Sequence, residues 1–283
     1  KEIIEFSNKN FISIKLKPWD YQEDQEQLDK YGGGSIPLLI FLNSDGIEVD
    51  RLLGFYSSED YMKKITNIFS GVDTFLSLKN SYNSGEKDTL LLSILSDKCE
   101  ISMDIELCKD VYSDVIKNKG LMSTQAVFKA ELFFAKTELG KGLDLDMFKL
   151  LDRYSNPESL KSIYNSLIDF YQSTNQTDQE SMIYKEFSDR FTSDPNILNG
   201  YAWRMSELKI NLEDALEKSE RAIILAVESP QNQANIIDTK AEILWVLRRN
   251  TEAVEAINLA IDIDPKSDYF MKQKIKFQNS LKE

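Results

Sequence analysis

Three prolines spaced 35 residues apart, Pro195, Pro230 and Pro265, constrain the second half of this 283-residue chain most tightly. Two of them sit in Asp194-Pro195-Asn196 and Asp264-Pro265-Lys266. Proline costs little in a first helical turn, where its missing N–H would be unpaired anyway. Small residues recur between the prolines. Ala215 and Ala222 are seven apart, as are Ala253 and Ala260, and the two pairs are offset by 38. Small side chains at fixed helical positions let neighbouring helices approach closely. A recurrence on this scale is the mark of stacked helical hairpins, which cannot bury their apolar faces singly. From Val72 onward strand signals are nearly absent. Helical patterns are expected at 73–83, 86–97, 103–118, 122–139, 144–153, 157–173, 176–191, 195–208, 211–227, 231–248, 250–262 and 266–281. The last of these, from Tyr269, is richer in lysine and reads as a capping helix.

The first 71 residues have a different character. Six of the eleven glycines, Gly32, Gly33, Gly34, Gly46, Gly54 and Gly71, fall there. Phe11-Ile-Ser-Ile-Lys-Leu16 alternates as a strand does. Leu38 to Leu42 is a short continuous apolar run, as in a buried strand. Asn43-Ser-Asp-Gly46 then signals a tight turn, and Ile47 to Leu53 predicts the returning strand of a hairpin. Helices are expected at 2–8, at 24–31 and after Ser57 or Ser58, with Glu59 and Asp60 favoured in the first turn of the last.

That order resembles the thioredoxin fold from the middle of its first helix onward. The residues that carry the resemblance are Asn10-Phe11, Tyr31, Ser35-Ile36-Pro37, Asn43 to Gly46 and Gly54. The resemblance implies a proline loop, Ile36 and Pro37, lying beside a bound peptide backbone. The family's Cys-x-x-Cys would precede Lys1, and none occurs in the chain. Ser35 and Leu38 stand where the family usually has Gly and Thr. Downstream, about 231–265 resembles a tetratricopeptide repeat, carried by Ala241, Leu244, Ala253, Ile257, Ala260 and Pro265, with Arg248-Arg249-Asn250 in place of the usual turn glycine. The expected architecture is therefore an α/β thioredoxin-like domain, truncated at its N-terminus, over 1–71, followed by an all-α helical-hairpin repeat domain over 72–283.

Composition narrows the chemistry. There is no histidine, which removes Ser-His-Asp and Cys-His catalysis and His-ligated metals. The formal charge of −13 argues against nucleic acid, whose affinity rests on Lys and Arg. No apolar run reaches the roughly 18 residues of a membrane span. Cys99 and Cys108, nine apart, would point to opposite sides of one continuous helix and read chiefly as ordinary helical thiols, with a break near Ser96-Asp97 as the way they could meet. Asp144 and Asp146, Asp262 and Asp264, and Asp20, Glu23 and Asp24 read as solvated acids, without EF-hand spacing. Gly32 to Gly34 lacks the Lys-Ser/Thr of a phosphate loop and reads as an approach to Pro37. Trp203 and Trp245 read as core, with Tyr201 or Arg204 as candidates for a peptide groove. Trp19 is a lesser candidate near Pro37. Arg248-Arg249 reads as a solvated hairpin tip.

These readings yield no catalytic, metal-binding or cofactor-binding residues in the chain, and Ile36 and Pro37 as the peptide-binding candidates. Two functions follow. One is a thiol–disulfide oxidoreductase with its dithiol upstream of Lys1, acting through a mixed disulfide, with the repeats holding a protein partner. The other is a non-catalytic interaction scaffold. The resemblance implies a periplasmic or cell-envelope location, with the cytoplasm as alternative.

Overall fold

The computed structural model describes residues 1–17, 21–32 and 37–281. It divides into two compact units, Lys1–Asp146 and Met147–Glu283. The composition change near residue 72 falls inside the first.

In the first unit, α1 (Glu2–Asn10) and α2 (Gln22–Lys30) precede a hairpin of β1 (Leu38–Leu42) and β2 (Glu48–Leu53). The turn forms as its residues require. The Asn43 side-chain oxygen accepts the N–H groups of Asp45 at 3.0 Å and Ile47 at 2.9 Å, and Gly46 takes φ +76°. Leu38 pairs with Leu53, and the register shifts at Phe41/Leu42. Next comes α3 (Ser58–Ser70), whose cap Ser57 accepts from the N–H of Asp60 at 3.1 Å. Ile65, Ile68 and Leu52 form a small core with Phe6, Phe11 and Phe41 partly buried around it.

The expected thioredoxin-like α/β domain is overturned here. The described residues hold only a two-stranded antiparallel sheet, and the architecture is all-helical in class. The strand expected at Phe11 to Leu16 does not form. Its alternation is real, but a strand needs a hydrogen-bonding neighbour, and among the described residues only β1 and β2 pair. Phe11 packs on Phe6, Phe41 and Phe69, while Ile12 and Ile14 are 96% and 81% exposed.

The rest of this unit is helical: α4 (Phe75–Asn83), α5 (Thr89–Cys99), α6 (Ile105–Lys117) and α7 (Thr124–Leu139). Thr74, Asp88, Asp104 and Ser123 cap them with side-chain acceptors. Leu92, Leu95, Val111, Val115 and Ala130 are the deepest members of their core. The buried Asp50 of β2 is neutralised by Lys98 of α5.

The helix α8 (Leu145–Arg153) begins at the junction. The second unit continues with α9 (Pro157–Ser173), α10 (Thr177–Arg190), α11 (Pro195–Leu208), α12 (Leu212–Leu225), α13 (Pro230–Val246), α14 (Asn250–Ile263) and α15 (Asp268–Asn279). Two of the recurring prolines lie where the helix-entry argument puts them, Pro195 and Pro230 opening α11 and α13; Pro265 instead lies in the turn between α14 and α15, which starts only at Asp268 under its Ser267 cap. Sequential helices pack as hairpins, α9 with α10, α11 with α12 and α13 with α14, and α13 also packs on α11 and α12. Ala202, Ala215, Ala241, Ala253 and Ala260 are fully buried at the crossings. At the α13–α14 turn Arg248 adopts the left-handed conformation, φ +64°, that glycine holds in many such turns.

Gly200 is an interior residue of α11, and apart from its own stretch of helix backbone no heavy atom lies within 4 Å of where a Cβ would stand. Gly200→Ala is expected to raise the stability of this unit by roughly 0.5–1 kcal/mol, because alanine loses less backbone freedom on folding. A urea titration reads this as a higher midpoint at unchanged slope.

Candidate functional site

The residues singled out in the sequence scatter. Pro37 directly precedes β1, where its carbonyl accepts the N–H of Gly54 at 2.9 Å. Ile36, Trp19, Asp20, Gly33 and Gly34 lie outside the described residues. Tyr201 does not line a groove. It is fully buried and its hydroxyl donates to Asp214 of α12, because its place on α11 faces the hairpin core. Arg204 is held by the buried Glu180 of α10 in a two-pronged bond at 2.6 and 3.1 Å, and by Glu207 at 3.0 Å. Arg249 is bound to Glu252 one turn along α14.

Cys99 and Cys108 are corrected outright. They form a disulfide, with Cα atoms 5.4 Å apart. The helix breaks after Cys99, and α6 starts only at Ile105 under its Asp104 cap, so the chain reverses and the two cysteines meet. Both are buried, which suits a staple rather than an exchanging centre.

The second unit brings together a face that no single segment announces. Asn196, Gly200 and Trp203 stand at helical spacings of four and three on α11, and Asn232 and Asn235 at a spacing of three on α13. The Asn232 amide N–H donates to the Asn196 oxygen at 3.1 Å, bridging the two helices. Beside this bridge, Gly200 bares its backbone, and the place of its missing side chain, called the notch below, is open. Asn235 is exposed. The Asn199 side-chain oxygen is buried with no hydrogen-bond partner among the described residues.

Neither a family model nor a curated protein sequence matches the chain.

Toward α15 the same helix carries acids. Glu242 takes Lys276 on both oxygens, at 2.7 and 2.6 Å. The Lys276 ammonium lies 4.0 Å from the centre of the Trp245 ring, and the indole N–H donates to Ser280 at 2.8 Å. One turn before Glu242 stands Asp238, 5% exposed, with one carboxylate oxygen unpartnered. Burial pushes its carboxyl up to about 6, and Glu242 adds to this, while Tyr269, Lys276 and Gln273 of α15 oppose it. The Tyr269 hydroxyl is pushed up to about 12 by burial and by Asp238.

Among the described residues no three His, Cys, Asp or Glu side chains converge in a metal-binding group. The groups described on this unit are amides, acids, a lysine and two indoles. Sequence reasoning passed over Asp238. Its signal was present: an acid that follows Ile236 and Ile237 directly and stands three and four residues from Ala241 and Ala234, on the buried side of the helix.

Proposed function

We propose that this chain is a non-catalytic protein-binding scaffold whose α11–α13 face holds an extended segment of a partner polypeptide. The observation that carries this reading is the side-chain-free notch at Gly200 beside the bridged Asn196 and Asn232. Each asparagine amide presents one acceptor and two donors, the complement of a peptide group. The notch lets a backbone approach closely, which a side chain at 200 would prevent. The partly buried Trp203 offers apolar surface next to it. Stacked hairpins supply such extended surfaces as a consequence of their geometry.

The exchange reading draws its dithiol from upstream of Lys1, so the residues of this chain support the binding half of the expectation. A lasting disulfide such as Cys99–Cys108 calls for an oxidising compartment, which favours the cell envelope over the cytoplasm.

The test is a random dodecamer peptide library selected on the full chain, with Gly200→Phe as the discriminating variant. In Gly200→Phe the new Cβ meets open space and the ring covers the notch; circular dichroism checks that the variant folds. Selected peptides are expected to bind the wild type saturably and the variant at least tenfold more weakly. Equal binding to both, or no enrichment, would refute the reading.

A further inference from the structure

One pattern of burial recurs in α11, α13 and α15, and α15 completes only half of it. Ile237, Ala241 and Leu244 of α13 are buried in the cluster that Ala253, Ala256, Ile257 and Ala260 of α14 complete. Thirty-five residues earlier, Ala202 and Ser206 of α11 are buried too. Thirty-four residues later than the α13 set stand Met271, Ile275 and Gln278 of α15, and there Met271 is 47% and Ile275 57% exposed. The other face of α15 keeps the pattern: Phe270 and Phe277 are as buried as Ile236 and Ile243, again 34 residues before. So α15 packs backward as α13 does, and its forward face stands open among the described residues.

Charge indicates what fits that face. In a chain of net charge −13, α15 carries three lysines against the single acid Asp268; Lys276 is taken up by Glu242 of α13, which leaves Lys272 and Lys274. A second copy would set these lysines against each other. The helix that fills the equivalent place on α13 has the opposite character. Glu252, Glu255 and Asp262 are its only charged residues, and it carries alanines at 253, 256 and 260. We propose that an acidic amphipathic helix with an alanine seam, supplied by another polypeptide, docks over Met271 and Ile275 in the position that α14 takes on α13. This surface is separate from the notch at Gly200, and neither depends on the other.

The probe is a labelled synthetic peptide with the α14 sequence, residues 250–263, titrated with the full-length chain at low and high salt. Saturable binding is expected. It should weaken at least tenfold in Met271→Asp and in Ile275→Ser, whose exposed positions leave the fold intact by circular dichroism. It should weaken similarly at 0.5 M salt, and when Glu252 and Glu255 of the peptide are replaced by lysine. Absent binding, or binding indifferent to these changes, would overturn the proposal. So would concentration-dependent dimerisation abolished by Met271→Asp, which assigns the face to self-association. Sedimentation with phosphatidylserine vesicles abolished by the same change would also overturn it, in favour of a lipid surface.

Discussion

Asp238→Asn is expected to stabilise the second unit at pH 7.5 by about 3 kcal/mol, an unusual gain for a buried polar substitution. The carboxyl sits 95% buried on α13, and what faces it from α15 is Tyr269, Gln273 and Lys276, with Glu242 on its own helix. Folded, it titrates at about 6, against about 3.9 in an unfolded chain. Below pH 4 both states hold the proton and the site costs nothing. As pH rises through 4 to 6 the unfolded chain releases its proton while the folded chain keeps it, so stability falls, and it levels off above about 6. The wild type should therefore be more stable at pH 5 than at pH 7.5, and Asp238→Asn should be nearly flat across that interval. Against the pull of burial, Lys218 and Lys185 hold Asp189 low and Lys161 holds Asp194 low, so both titrate in stronger acid. The chain has no histidine to titrate above them. Urea unfolding followed by tryptophan fluorescence, to which Trp203 and Trp245 contribute, reads the effect. Wild-type stability that is constant or rising from pH 4.5 to 7 would contradict it.

Reducing Cys99–Cys108 is expected to lower the stability of the first unit by about 3 kcal/mol, from the chain-entropy cost of a loop of ten residues. The denatured chain should show no free thiol before reduction and two after it. The double substitution Cys99→Ala/Cys108→Ala should reproduce the loss without reductant. Two thiols titrating in the unreduced chain, or an unchanged urea midpoint after reduction, would contradict the account.

The helical half was legible because its signals are local and mutually consistent. Proline at 195 and 230, small residues at fixed spacings and apolar residues at helical spacing all act within one or two turns. Elements from α4 to α15 accordingly fall within a few residues of expectation. The hairpin at Asn43 to Gly46 was legible for the same reason, since one asparagine side chain organises it. Phe11 to Leu16 was not, because a strand is completed by a partner and the sequence of one segment cannot supply it. The cysteines were misread through the same blindness to what lies between: five residues after Cys99 reverse the chain, where a continuous helix would have held the thiols apart. Asp238 and the bridge from Asn232 to Asn196 belong to the packing of α13 on its neighbours. Their meaning appears only once 36 residues of chain have folded back.

The account's central claim is that α11 and α13 together form a binding face. The most direct measurement is hydrogen–deuterium exchange of the full chain with and without a selected peptide at saturation. Slowed exchange concentrated in Pro195–Leu208 and Pro230–Val246, and lost in Gly200→Phe, is the predicted result. Protection elsewhere, or protection that survives in Gly200→Phe, would contradict it.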